Sequence, residues 1–171
     1  MSTCLEAFRK YYLNADSWEL RKDGPPLQLL DCLSEDERAV AEDELIRRIR
    51  QGDDWPIRGL GHIRSVKAIP ALQTLMTESK PALQAVIAHA IWKINRDPGC
   101  IPVILAASQK ITFWQELIDL IYLLPDFHDP RTDALVIEYL SHPEYLVAYN
   151  ATRASGLPTG EVVKRFQRQR G

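Results

Sequence analysis

The chain has 171 residues, of which 46% are hydrophobic and 26% are charged, and its formal net charge is −2. This composition is that of a globular domain burying about 70% of its unfolded surface, and it excludes a strongly basic, polyanion-binding chain. No apolar run reaches the roughly 18 residues that span a bilayer, so we expect no membrane contact. The N-terminus lacks the apolar centre of a signal peptide, and the cysteines show no CxxC spacing. We therefore expect a cytoplasmic protein with reduced thiols.

Residues 1–33 predict a helical cap. The segment LEAFRKYYL spaces Leu5, Phe8, Tyr12 and Leu13 as the inward face of a helix. Asp23-Gly-Pro-Pro26 is a turn signal, and LQLLDCL then begins another short helix. Stacked helices need a terminal unit with a polar outer face, so we expect this segment to cover the open end of the fold.

The following segment predicts helices, with no strand-like alternation of comparable length. Ser34-Glu-Asp-Glu37 is a capping box, and Thr112-Phe-Trp-Gln115 predicts a second one. Asp97-Pro98, Asp129-Pro130 and His142-Pro143 each offer a proline as the first residue of a helix. Between these signals apolar residues recur at spacings of three and four, which predicts one buried stripe per helix in segments 66–76, 83–94, 117–124 and 134–140.

The order of these helices repeats along the chain. Ile69-Pro70-Ala71-Leu72 recurs 32 residues later as Ile101-Pro102-Val103-Ile104, and Ala134-Leu135-Val136-Ile137 follows 33 residues after that. Each copy follows a turn and an apolar helix, so the unit is a pair of helices, and such pairs stack because one pair cannot bury its own apolar face. The prediction is an all-α solenoid of about four antiparallel helix pairs over 34–160, then a basic tail over 161–171, in a single domain.

The stretch IRGLGHIRSVKAIPALQTLM resembles a HEAT repeat, of the short type found in relatives of the phycobilisome lyases. The family pattern ends one helix with Leu-Gly-x-Ile and opens the next with Val/Ile-Pro-x-Leu. The matching positions are Leu60, Gly61, Ile63, Ile69, Pro70 and Leu72. SKPALQAVIAHAIWKI and HPEYLVAYNATRASGL are similar to the second helices of further copies, although Trp92 stands where the family usually has glycine. The resemblance covers residues 35–157 and implies a solenoid whose second helices line a concave binding face.

The outward positions predicted on these second helices carry aromatic and charged side chains. Trp, Tyr and Arg are the residues that most often anchor protein interfaces, although each tryptophan has the alternative role of filling space between repeats. The predicted partner-binding groove consists of Trp55, Arg58, His62, Gln84, His89, Lys93, Tyr145, Tyr149 and Arg153. Glu116, Asp119 and Tyr122 extend the same strip, and its mixed charge suits a protein partner better than a uniform polyanion.

Catalytic signatures are absent from the sequence. It contains no GxSxG, P-loop, HExxH or GxGxxG pattern, so we predict a non-catalytic protein without a cofactor. His128 lies near Asp126 and Asp129, a composition compatible with a small metal site. Such residues before a helix are more often caps and solvated turn positions, so we predict no metal.

A preformed helical surface without catalytic residues predicts a protein-binding module. The resemblance implies a bacterial adaptor or an immunity protein that neutralises a toxin, and the sequence does not choose between these roles. The first alternative is a bilin lyase-like or chaperone-like ligand-handling protein, because the repeat type is shared with lyases. The second is a HEAT-like nucleic-acid-binding protein, although the basic residues cluster in the tail at Lys164, Arg165, Arg168 and Arg170.

Overall fold

The computed structural model describes residues 3–49 and 53–168. Every regular element in these two segments is helical, which confirms the all-α prediction. The helices are α1 Thr3–Phe8, α2 Trp18–Arg21, α3 Gln28–Asp31, α4 Glu35–Arg48, α5 Asp54–His62, α6 Ile69–Glu78, α7 Pro81–Asn95, α8 Cys100–Ser108, α9 Trp114–Leu123, α10 Pro130–Tyr139, α11 Tyr145–Ala154 and α12 Gly160–Arg168. Within these segments no helix is long and apolar enough to cross a membrane.

Side-chain caps begin two helices where the sequence predicts them. The Ser34 hydroxyl accepts a hydrogen bond from the backbone N–H of Glu37, whose carboxylate accepts one from the N–H of Ser34, so the capping box of α4 is complete. Asp129 accepts from the N–H of Arg131 at 2.9 Å, and Pro130 is the first residue of α10. These two predictions are confirmed. Caps of this kind can be predicted because a cap and its partners are close together in the chain.

Three predicted helix starts are wrong by a few residues. Helix α9 begins at Trp114 with Phe113 as its N-cap, and no side chain caps it, so the second capping box does not form. Helix α8 begins at Cys100 and α11 begins at Tyr145. The prolines of Asp97-Pro98 and His142-Pro143 therefore belong to the preceding turns. For α11 the cap is Glu144, whose carboxylate accepts from the N–H of Leu146.

The chain divides into two compact units. The first comprises residues 1–79 and 90–97, and the second comprises 80–89 and 98–171. Helix α7 thus contributes its first residues to the second unit and its last residues to the first. The prediction of a single domain with a stacked solenoid stays a prediction, and the units are described separately.

The core of the first unit confirms three of the four inward residues predicted for the N-terminal cap, whereas Leu13 is half-buried. Leu5, Phe8 and Tyr12 are 6%, 0% and 2% exposed, and α4 packs against α5. The Tyr12 hydroxyl donates to the backbone carbonyl of Trp55 at 2.7 Å. A Cβ atom added to Gly59 would lie 2.6 Å from that hydroxyl oxygen, so this glycine allows helix α5 to pack against Tyr12.

In the second unit, helix α11 packs against α9, α10 and α12. Helix α12 covers most of the predicted basic tail; Arg170 and the other residues from 169 to 171 lie outside the described segments. Val162 is buried, and Arg165 donates to the carbonyl of Leu140 at 3.0 Å and to that of His142 at 3.5 Å. A tail cation therefore stabilises the C-terminal end of α10, as expected for a cation beside unpaired carbonyls.

A left-handed residue follows each second helix of the predicted pairs. Arg64, Arg96, His128 and Gly156 have φ values of 55°, 58°, 49° and 67°. After α5 and α11 this residue belongs to the same hydrogen-bond pattern, in which Ser65 N–H donates to the Leu60 carbonyl and Leu157 N–H to the Thr152 carbonyl, each at 3.0 Å. This is the Schellman cap, and its recurrence is a local structural counterpart of the sequence repeat.

Candidate partner-binding surface

The predicted groove residues fall into both units. Trp55, Arg58, His62 and Lys93 belong to the first unit, and Gln84, His89, Tyr145, Tyr149 and Arg153 belong to the second. A single groove formed by all of them stays a prediction. Each residue is therefore described in its own unit. Some of these side chains pack or pair within the chain, and others are exposed.

Trp55 is a core residue and not a surface residue. Its side chain is 4% exposed, which corrects its assignment to the groove. The guanidinium of Arg21 lies 4.4 Å from the centre of the Trp55 ring, and the Tyr12 ring lies 5.6 Å away. Trp55 thus has the alternative role considered for the tryptophans, which is to fill space in the core. The Arg21 guanidinium beside its ring adds a favourable electrostatic contact.

Charged side chains beside Trp55 pair with each other. Arg21 donates to both carboxylate oxygens of Asp53 at 2.8 and 2.5 Å, and Arg58 donates to Asp54 at 2.6 Å. Burial acts to raise the pKa of Asp53, but hydrogen bonds from Arg21 and from the N–H of Trp55 more than offset it and hold that pKa below its ordinary value. The guanidinium of Arg58 is therefore engaged inside the first unit.

Two of the predicted groove histidines connect helices. His62 Nε2 on α5 lies 2.7 Å from Asp31 Oδ1 at the end of α3. His89 Nε2 on α7 lies 2.8 Å from Asp126 Oδ2, and its ring centre is 5.9 Å from that of Phe127. In both histidines the Nε2 atom already has a carboxylate partner, so these side chains link neighbouring segments. Gln84 and Lys93 lie half-buried on α7.

The acidic side chains around His128, which offer the composition of a small metal site, make other contacts in the structure. Asp126 pairs with His89, and Asp129 accepts two hydrogen bonds from the Arg131 guanidinium at 2.9 and 3.0 Å. His128 adopts the left-handed conformation at the end of the preceding helical turn. Throughout 3–49 and 53–168, no three His, Cys, Asp or Glu side chains are grouped as a metal site would require.

The strongest candidate for a binding surface lies on α11. Tyr149 and Asn150 lie three and four residues after Leu146, and Arg153 lies four residues after Tyr149 and three after Asn150, which places all four on one face of the helix. Arg153 is exposed, Leu146 is 37% exposed, and Tyr149 and Asn150 are half-buried. The remaining part of the helix surface is fully buried at Val147, Ala148 and Ala151. Helix α11 therefore presents a continuous mixed apolar and polar stripe.

Helix α9 adds an aromatic side chain to this stripe. Tyr122 is 46% exposed, and its hydroxyl donates to Asn150 Oδ1 at 2.8 Å. The Asn150 amide in turn donates to the carbonyl of Leu146 at 2.8 Å. The ring of Tyr145 lies 5.6 Å from that of Tyr149. We call the set of these residues the α9/α11 surface: Tyr122, Tyr145, Leu146, Tyr149, Asn150 and Arg153.

The sequence prediction contained four of these positions and missed two. Leu146 and Asn150 share the face of Tyr149 by spacing alone, and that signal was present in the sequence. The hydrogen bond between Tyr122 and Asn150 depends on the contact of α9 with α11, which the sequence does not specify.

The α9/α11 surface combines aromatic, apolar, amide and cationic groups. It offers three phenol rings, a carboxamide, a leucine and one guanidinium. These groups bury apolar area, form hydrogen bonds and pair with one anionic group, and they include no evident nucleophile with an adjacent base. No protein-family model, curated protein or solved structure matches this chain.

Proposed function

We propose that this chain is a non-catalytic protein-binding module of HEAT-like architecture, and that it binds its partner protein through the α9/α11 surface. The observation that carries the proposal is the partly exposed aromatic stripe on two packed helices, with Tyr122 hydrogen-bonded to Asn150 and Tyr145 in contact with Tyr149. Tyr and Arg are the side chains most enriched at interface hot spots. In the proposed HEAT-like stack, α9 and α11 are second helices, which are the helices that the resemblance assigns to binding.

The internal contacts of this surface favour tight binding. A hydrogen bond joins Tyr122 to Asn150. The Tyr145 ring also meets the Phe166 ring of α12 edge-on, with 5.2 Å between the ring centres. A side chain that is already fixed loses less conformational entropy when a partner covers it. Since Tyr residues provide large contact area with only two side-chain torsions, this arrangement lowers the ordering cost of association.

The charges around the surface indicate a complementary protein. Arg153 is exposed at one end of the α11 stripe, whereas Glu116 and Asp119 are exposed on α9. The partner surface we propose has an apolar patch to cover the tyrosines and a carboxylate opposite Arg153. Mixed charge of this kind selects an orientation and disfavours a nucleic acid backbone, whose charge has a single sign. An adaptor or a toxin-neutralising protein would each use such a surface.

Capture from a native lysate tests this function. The baits are the wild-type chain, the Tyr149→Ala/Arg153→Ala variant and the control Ile137→Ala, which removes a 63% exposed apolar residue from α10. We expect one stoichiometric protein with the wild type and the control, and at least tenfold less with the double variant. Melting temperatures measured on all three baits must agree, so that the loss reports binding and not unfolding.

Other captured material would contradict the proposal in defined ways. A co-purifying pigment, with a new visible absorbance when a tetrapyrrole is added, would establish the ligand-handling alternative. A nucleic acid whose binding weakens steeply with salt would establish the nucleic-acid alternative. Equal capture of the same protein by all three baits would locate the binding surface elsewhere on the chain.

A further inference from the structure

The first unit contains a cleft of about 410 Å³ beside the C-terminal half of α4. One side of the cleft is formed by the helical turn Arg9–Leu13 and by Asn14, which directly follows this turn. The other side is formed by the last turns of α4. The residues that line the cleft are Arg9, Leu13, Asn14, Glu44, Arg47 and Arg48. Three guanidiniums and one carboxylate give this lining a formal charge of +2.

Hydrogen bonds join the two sides of the cleft. Arg9 Nε donates to both carboxylate oxygens of Glu44 at 3.0 and 3.2 Å, and Arg9 Nη2 donates to Glu44 Oε1 at 2.6 Å. Arg48 Nη2 donates to Asn14 Oδ1 at 2.8 Å. These contacts fix two guanidiniums in the wall of the cleft before any ligand arrives, so a bound anion costs less side-chain entropy.

Two of the cleft arginines are oriented by neutral acceptors. Arg47 Nε donates to the backbone carbonyl of Asp43 at 3.2 Å, and the acceptor of the Arg48 bond to Asn14 is a carboxamide oxygen. A neutral acceptor orients a guanidinium without cancelling its charge. The excess positive charge of the lining therefore lies on Arg47 and Arg48.

Carboxylates outside the lining pair with other cations. Asp43, whose pKa is lowered in part by the charge of Arg47, accepts a hydrogen bond from Lys67 at 2.5 Å. The two oxygens of Asp53 accept from Arg21 at 2.8 and 2.5 Å. Both carboxylates thus have a cation of their own, and neither lines the cleft.

We propose that this cleft binds the dianionic phosphate of a phosphate monoester, with Arg47 and Arg48 donating to its oxygens. A phosphate monoester carries a charge of about −1.5 to −2 at neutral pH, which matches the charge of the lining, whereas a carboxylate would offset only half of it. The planar guanidinium fork suits phosphate oxygens, which it contacts through two parallel N–H donors. Half-buried Leu13 supplies an apolar contact for the carbon part of the ester.

The size of the cleft fits this class of ligand. Pockets for small molecules have volumes of roughly 300–1,000 Å³, and this cleft lies near the lower end of that range. The site belongs to the first unit and shares no residue with the α9/α11 surface. Phosphate binding can therefore be tested without knowledge of the protein partner.

An NMR titration of the full chain at low ionic strength tests the proposal. The ligand is phenyl phosphate, and phenyl sulfate is its control, because the sulfate ester has nearly the same shape with a single negative charge. We expect phenyl phosphate to shift the arginine Nε–Hε signals of the cleft and to bind at least several-fold more tightly than phenyl sulfate. A peptide with one phosphoserine identifies the source of the phosphate: tighter binding of the peptide indicates a phosphorylated protein, and tighter binding of phenyl phosphate a small molecule.

Matched variants locate the site. Arg47→Gln and Arg48→Gln should each weaken the binding of phenyl phosphate by roughly tenfold, as expected for the loss of charge-assisted hydrogen bonds. The control is Arg38→Gln, which removes the same charge from an exposed position of α4 outside the cleft and should leave the affinity nearly unchanged. Melting temperatures are measured on all variants. If Arg48→Gln proves unstable because it loses its bond to Asn14, Arg47→Gln decides the result.

Three results would overturn the proposal. The first is the absence of any shift in the cleft at millimolar phenyl phosphate. The second is equal affinity for phenyl phosphate and phenyl sulfate, since the cleft would then not select a dianion. The third is an equal affinity of Arg47→Gln and Arg38→Gln for phenyl phosphate, which would place the bound anion elsewhere on the chain.

Discussion

Replacing Gly59 by alanine tests how closely α5 packs against Tyr12. The added Cβ atom would lie 2.6 Å from the Tyr12 hydroxyl oxygen, 3.2 Å from Tyr12 Cζ and 3.2 Å from Leu45 Cδ1. The first distance is shorter than carbon and oxygen tolerate, so the Tyr12 ring must move. Movement of the ring strains or breaks its hydrogen bond to the carbonyl of Trp55. Both effects lower the free energy of unfolding.

The size of the effect follows from opposing contributions. Overpacking a well-filled core costs about 1–3 kcal/mol. Alanine is the better helix former, and in a helix interior it returns about 0.5–1 kcal/mol relative to glycine. We therefore expect Gly59→Ala to lower the free energy of unfolding by roughly 1–2 kcal/mol, and the melting temperature by roughly 2–8 °C for a chain of this length.

A double-mutant cycle in urea isolates the contact. Tyr12→Phe removes the hydroxyl oxygen, leaving nearest distances of 3.2 Å, so Gly59→Ala should cost less in the Phe background than in the wild type. The matched control is Gly160→Ala at the start of α12, where no atom lies within 4 Å of the added Cβ. We expect this control to leave stability unchanged or slightly higher. A Gly59→Ala variant as stable as the wild type, with no coupling to Tyr12, would refute the packing described here.

Three further changes test local interactions of the fold. Ser34→Ala removes the cap of α4 and should lower the free energy of unfolding by about 1 kcal/mol in urea melts. The pKa of Asp53 is lowered in the folded state, so its contribution to stability is complete above the ordinary pKa of 3.8 and is lost as pH falls through the lower folded pKa. Arg21→Gln should reduce this acid-dependent part of the free energy of unfolding, measured in melts between about pH 5 and pH 2. Arg165→Ala removes two hydrogen bonds to carbonyls at the end of α10 and should lower stability by about 1 kcal/mol and speed hydrogen exchange in α12.

The helices could be predicted because their signals are local. Apolar spacing predicts helices over 83–94 and 134–140, and the structure has α7 and α10 there. The capping box at Ser34 forms because its two partners are three residues apart. The left-handed caps at Arg64 and Arg96 could not be predicted, since glycine is the usual signal for this conformation and neither position has it.

The candidate surface depends on contacts between distant segments, which a single sequence does not specify. Trp55 is buried because Arg21 and Tyr12, far away in the chain, cover its ring. The helical spacing places Asn150 on the face of Tyr149, but its hydrogen bond with Tyr122 of α9 could not be predicted from that spacing. Tyr149 and Arg153 share one face of α11 because they are four residues apart in a helix; Arg153 is exposed there and Tyr149 is half-buried.

The most direct test of the proposed function is a calorimetric titration of the captured partner against three variants. Tyr149→Ala and Arg153→Ala alter the α9/α11 surface, and Ile137→Ala alters an exposed position on α10. We predict that each surface change weakens the affinity by roughly tenfold or more, as interface anchors do, and that Ile137→Ala leaves it unchanged. Equal affinity for all three variants, at unchanged melting temperature, would contradict the account.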